Sequence, residues 1–134
     1  MPSLFSRIIS RELPAHILYE DDRVIAFLDI NPVTIGHTLV VPKSEQTNAL
    51  ESETTDVSAC WAVIQKIAPA IVKATHAEGC NVTTNIGEAS GQQVFHTHFH
   101  IIPRVAGDGL AMWPHTSVTQ EELSLTAEQI RSQL

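Results

Sequence analysis

The segment Val94-Phe95-His96-Thr97-His98-Phe99-His100-Ile101-Ile102-Pro103-Arg104 carries three of the seven histidines of the chain at alternate positions. Side chains on an extended strand alternate with period two, so His96, His98 and His100 would share one face, with Phe95, Phe99 and Ile101 packing on the other. Three uses of such a row are open. Histidine is common at solvent-facing strand positions, although three within five residues is a dense run for that. His-x-His is also a frequent ligand pair for zinc or copper, but this strand brings no carboxylate or thiolate with it. Finally, a neutral imidazole can attack phosphorus to give a covalent phosphoramidate while its neighbours stabilise the negative oxygens. That chemistry needs a nucleophile flanked by like residues on its own face, and His98 is so placed. His37, opening another strand, offers a fourth imidazole.

The loop before this run, Asn85-Ile86-Gly87-Glu88-Ala89-Ser90-Gly91-Gln92-Gln93, agrees with the third use. Gly91 allows close approach of the backbone to a ligand, and the amides of Gln92 and Gln93 can donate to phosphate oxygens. Taken alone it reads as an ordinary turn. Beside a histidine row it becomes a candidate phosphate site.

These residues need a frame, and the rest of the chain suggests one. Phe5, Ile8 and Ile9 are spaced for a short helix that Pro14 would end. His16–Tyr19 and Arg23–Asp29 read as a hairpin, and His37–Val41 as a third strand stopped by Pro42. From about Thr55 to Thr75 the apolar residues Val57, Trp61, Ile64, Ile67, Ile71 and Val72 give a helix with one buried face, bent at Pro69 and closed by Gly79. Cys80–Ile86 and Val94–Ile102 follow as strands. Leu123–Leu134 is a last helix, with Thr126 and Gln129 at capping-box spacing. Hairpin-like strands with one long helix between the third and fourth predict an α+β fold with an antiparallel sheet.

Composition narrows the function. A chain of 134 residues, 43% hydrophobic, suits a single domain spanning residues 1–134. The net charge of -7 opposes binding to a nucleic-acid backbone, which relies on clustered cations. No apolar run approaches the ~20 residues of a membrane helix, so no membrane partner is expected and the cytoplasm is the expected location. Cys60 and Cys80 sit among apolar neighbours and read as buried reduced thiols.

The run His96-Thr97-His98-Phe99-His100-Ile101-Ile102 resembles the signature of the histidine triad (HIT) family. Leu28-Asp29-Ile30-Asn31-Pro32, Gly36-His37-Thr38-Leu39-Val40-Val41-Pro42-Lys43 and Gly91-Gln92-Gln93-Val94 are similar to further blocks of that family, in the same order. The likeness covers roughly residues 3–115, leaving 116–134 as a tail. It implies a five-stranded antiparallel sheet with one long and one or two short helices, continued across a homodimer, and a purine nucleotide site that needs no cofactor or metal. By position, His98 would be the nucleophile, its Nδ1–H held by a main-chain carbonyl. His100 and His37 would polarise phosphoryl oxygens, and His96 would complete the catalytic set. Asp29 would bind the ribose; Phe5, Ile8, Leu13, Phe27 and Leu39 would wall the base; Asn85, Gly91, Gln92, Gln93 and Val94 would line the phosphate and leaving group.

The implied reaction is purine nucleoside phosphoramidase activity, the branch that Met112-Trp113-Pro114 resembles, the tail reaching toward the partner's site. A dinucleoside polyphosphate hydrolase and a nucleotide-binding regulatory module are the alternatives. Three departures stand out. Many members carry a Cys-x-x-Cys zinc pair where this chain has Ser3 and Ser6, and a histidine where it has Glu45, so a structural zinc is not expected. Thr97 replaces an aliphatic residue. Gln93 replaces a Ser or Thr near the leaving group.

Overall fold

The computed structural model describes all residues 1–134. In chain order it contains α1 (Leu4–Ile9), β1 (Ile17–Glu20), β2 (Val24–Leu28), β3 (Thr38–Pro42), α2 (Thr54–Ala74), β4 (Gly79–Thr83), a 3-10 turn (Glu88–Ser90), β5 (Phe99–Arg104) and α3 (Gln120–Ser132). The strands form one antiparallel sheet in the order β1-β2-β3-β5-β4.

Strand alternation gives this sheet two apolar faces. Val24, Ala26, Val40, Phe99 and Ile101 pack on α2 through Cys60, Val63, Ile64, Ala68 and Ile71. The opposite set, Ile25, Phe27, Leu39 and Val41, packs on Phe5 and Ile8 of α1. A central strand covered on both sides has no polar alternation, which is why β3 is buried along its whole length. Burial of these apolar side chains, worth roughly 1.5–3 kcal/mol for each Val, Leu, Ile or Phe among them, is the main driving force holding the two helices to the sheet.

Several expected boundaries move, each for a local reason. β5 begins at Phe99, not Val94, because the residues before it find other partners: Thr97 N donates to Gln46 O at 2.8 Å, and β3 meets β5 only as far as Val40↔Phe99. Phe95 is accordingly half exposed and does not pack on α2. Pro42 is the last residue of β3, paired with Val24, so it closes the strand from within. Arg11, at φ 66°, ends α1 before Pro14 is reached.

In α2 the inward stripe is built on Cys60 and Ile64, and Trp61 faces outward. That helix runs on through the exposed Pro69 and ends in a left-handed His76, whose neighbour Ala77 donates to Val72 O at 2.9 Å; Gly79 belongs to β4. At 21 residues α2 is long and apolar enough to cross a membrane, yet one side is committed to the sheet. Cys60 is buried and Cys80 only half-buried; both are free thiols. α3 is capped by Thr119, which accepts from Glu122 N, rather than by Thr126.

Gly36 sets up the approach of His37 to the sheet. Its φ is 94°, and a Cβ there would lie 2.6 Å from Thr75 Cγ2. Gly36→Ala therefore combines left-handed strain with a clash against α2's end, and should lower unfolding free energy by more than ~1 kcal/mol in urea titration. An unchanged urea midpoint would contradict this.

Candidate active site

Between α1 and the sheet face that carries Phe27 and Leu39 lies a cleft of about 600 Å³. Phe5, Ile8, Leu13, Phe27 and Leu39 form apolar walls, while Asp29, Gly91, Gln93, His98 and His100 supply polar groups, with Val94 beside them. All of these are residues that the family resemblance implied. Sequence reasoning missed Leu4, Ala15, His16, Leu28, Ile30 and Asn31, which also line the cleft. Pro14, read only as a helix stop, lines it too, because the chain crosses the mouth between α1 and β1.

His98 and His100 differ in which nitrogen they present, and hydrogen bonds fix the difference. His98 Nδ1 lies 2.7 Å from the carbonyl oxygen of His96. A carbonyl only accepts, so Nδ1 carries the proton and Nε2 keeps its lone pair. The His98 carbonyl accepts from Thr84 Oγ1 at 2.7 Å, and the ring meets Phe5 edge-on, centroids 4.9 Å apart.

His37 Nδ1 accepts from Val33 N at 3.1 Å, which puts the proton of its neutral ring on Nε2. That proton is donated to His100 Nδ1 at 2.9 Å. His100 must then hold its own proton on Nε2, a buried atom with no partner in the protein. Since a buried unpaired donor costs about 1–3 kcal/mol, a group of this kind on a cleft wall is suited to a ligand acceptor.

Burial lowers the pKa of all four imidazoles of the set, and is the largest cause in each. His100 is brought to about 4, with His98 and His37 adding to the effect. At neutral pH the array is uncharged, so the donor and lone-pair pattern is the one just described.

Four expected residues lie outside the cleft wall. His37 acts through His100. His96 is fully buried, its Nε2 donating to Pro42 O at 2.8 Å and its Nδ1 accepting from Ser3 Oγ at 2.6 Å. Gln92 is buried with its amide spent on the loop: Oε1 accepts from Gly87 N at 2.9 Å, and Nε2 donates to Thr47 O at 2.7 Å and Val94 O at 3.1 Å. Nothing of that amide remains for a phosphate. Asn85 stands behind Gly91, where its Nδ2 would be 3.6 Å from an added Cβ. Asp29 keeps Oδ1 on Asn31 N at 2.8 Å and has Oδ2 at 3.7 Å from His37 Nε2.

Two groups test whether a metal fits. Asp29, His37 and His100 have ligand atoms within 4.8 Å of one another. However, the two ring nitrogens concerned share one proton at 2.9 Å, closer than the about 3.3 Å between nitrogens on a tetrahedral zinc, so they are committed to each other. At the second place, Ser3, Ser6 and Glu45 surround His96 Nδ1. Neutral hydroxyls stand where zinc would need thiolates, and their protons are directed to His96 and Glu45; these residues do not fit a structural zinc.

Residues 10–107 match the HIT domain family. Protein hit of Bacillus subtilis is 45% identical over 112 residues, 82% of this chain and 77% of that protein. Adenylylsulfatase HINT3 of Arabidopsis thaliana is 40% identical over 125 residues, 93% of this chain and 62% of that protein. A crystal structure from Streptococcus mutans superposes with a TM-score of 0.90 at 42% identity, covering 97% of this chain and 83% of that one. The five-stranded sheet and its helices are those of the HIT-family structures.

Because burial lowers the pKa of His98, the lone pair of Nε2 should survive below the usual imidazole range. Titration of the His98 ring followed by its nitrogen-15 chemical shifts should therefore place the loss of that lone pair at a pH below about 6.5. A midpoint at or above that value would show that the ring is not desolvated as described.

Proposed function

The chain belongs to the HIT domain family, and from that premise we propose that it hydrolyses purine nucleotide derivatives at the α-phosphate through a nucleotidyl-His98 intermediate. The observation that carries this reading is the opposite tautomer of two neighbouring rings: a lone pair on His98 Nε2 beside a proton on His100 Nε2. An attacking nitrogen and a donor for the oxygen that gains charge are the two groups a phosphoryl centre needs.

In the first step His98 Nε2 bonds to the α-phosphorus as the bond to the leaving group breaks with its electron pair, a departing amine taking up a proton from solvent. His100 Nε2–H donates to a non-bridging oxygen, and His37 holds His100 in the tautomer able to do so. The His96 carbonyl steadies the positive charge that develops on the His98 ring. Water then attacks the same phosphorus and gives up a proton to solvent, while the bond from phosphorus to Nε2 breaks with its electron pair returning to the ring, which releases the mononucleotide and restores His98. The free Oδ2 of Asp29 suits ribose hydroxyls, and the apolar walls suit a purine ring.

Purine nucleoside phosphoramidates are the proposed substrates. Dinucleoside polyphosphates and adenylyl sulfate present the same α-phosphorus, and the latter is the substrate that the name of the Arabidopsis relative carries. A homodimer is proposed as well: β4 is an edge strand, and Met112 and Trp113 lie exposed on a segment without regular secondary structure that a second copy could cover.

Product analysis tests the reading. Incubation with adenosine 5'-phosphoramidate, diadenosine tetraphosphate and adenylyl sulfate should release AMP, unaffected by excess EDTA, and His98→Ala should reduce the rate by at least about a thousandfold. Binding of AMP without turnover of any of the three would replace catalysis with a nucleotide-binding role. Loss of activity in EDTA would overturn the metal-free mechanism.

A further inference from the structure

The side-chain cluster at the start of α1 lies behind the cleft and takes no part in the chemistry described. Glu45, in the segment after β3, accepts from Ser3 N at 2.8 Å and from Ser6 Oγ at 2.5 Å. Ser3 Oγ caps α1 by accepting from Ser6 N at 2.9 Å. Its own proton goes to His96 Nδ1 at 2.6 Å, since His96 already uses Nε2–H on Pro42 O. Each hydroxyl has one proton, and each proton has one destination. The Ser6 bond, with the Ser3 amide second, holds the Glu45 carboxyl at about 2, so it stays ionised throughout the working range.

Two routes lead from this cluster to His98. Through the first, the clamped His96 ring fixes the residue whose carbonyl receives His98 Nδ1–H. Through the second, the seated helix presents Phe5, edge-on to His98 at 4.9 Å and to His96 at 5.8 Å. We infer that Glu45 is a positioning residue for the nucleophile, acting through Ser3, Ser6 and His96, and that this hydrogen-bonded clamp needs no metal. The inference deepens the proposed function, because the nucleophile it positions is the one assigned there.

Removing the acceptor leaves the Ser3 amide and Ser6 hydroxyl without a protein partner and frees α1 to shift. Reacting groups displaced by about an ångström lose up to ~100-fold in rate. Glu45→Ala should therefore lower kcat by at least about tenfold with KM within about twofold, and Glu45→Gln, which keeps an acceptor oxygen, should restore most of it. Ser3→Ala, which deletes the bond to His96, should move kcat the same way, and stands in if Glu45→Ala does not fold.

A readout independent of turnover is the proton resonance of His98 Nδ1–H. It should be sharp in the wild type, broaden by exchange with water in Glu45→Ala and Ser3→Ala, and sharpen again in Glu45→Gln. Melting temperatures identify a temperature at which every variant is folded. If Glu45→Ala and Ser3→Ala lower the melting temperature but leave kcat and the His98 resonance unchanged, the cluster is only structural and the inference fails. A rise in wild-type melting temperature with added zinc would overturn the metal-free clamp. If the wild type turns over none of the three substrates, the functional reading fails; the His98 resonance alone then decides whether the clamp positions the ring.

Discussion

One hydrogen bond, from His98 Nδ1–H to the carbonyl oxygen of His96, governs what the rest of the site can do. It assigns the proton of the central imidazole to the side away from the cleft, and so leaves a lone pair on Nε2. Were the same ring turned or its tautomer exchanged, the cleft would hold two donors and no bare imidazole nitrogen. The bond is short because both its ends are held. Thr84 fixes the His98 carbonyl, Gln46 takes the intervening Thr97 amide, and the His96 ring is pinned at both nitrogens.

The fold provides these restraints by leaving the segment before β5 out of the ladder. Had the strand run from Val94, its backbone groups would have been spent on β3. Pro42 ends β3 and turns its carbonyl to the His96 ring, while the amide of Thr97 reaches the loop beyond. His100, two residues into regular pairing opposite Leu39, sits on the face that α1 covers. His37 then completes a relay from Val33 N to His100 Nδ1 that needs no charged residue. With all four rings desolvated, the pattern of protons is set by geometry rather than by titration at neutral pH.

Much of this could be read from residue types and spacing. Alternation put Phe99 and Ile101 on a helix and the histidines on the other face, and His37, opening another strand, offered the partner imidazole; the cleft walls came from the family resemblance, since by pattern alone those apolar residues read as core. What could not be read depends on partners distant in sequence. Gln92 has the chemistry of a phosphate ligand, but Thr47 and Gly87 consume it. His96 belongs to the histidine row by pattern, yet Ser3 and Pro42 remove it from the cleft. Trp61 fits the helical period of α2 as well as Cys60 does, and only the tilt of the helix on the sheet decides which faces in. Helix ends were least legible, since Arg11 and His76 adopt left-handed conformations that neither residue type announces.

The central claim is that His98 and His100 are neutral at pH 7 with opposite tautomers. Nitrogen-15 chemical shifts of the histidine rings in the free protein measure this directly. The account predicts a protonated Nδ1 with bare Nε2 for His98, and the reverse for His100. The same tautomer on both rings, or an imidazolium at either, would contradict it.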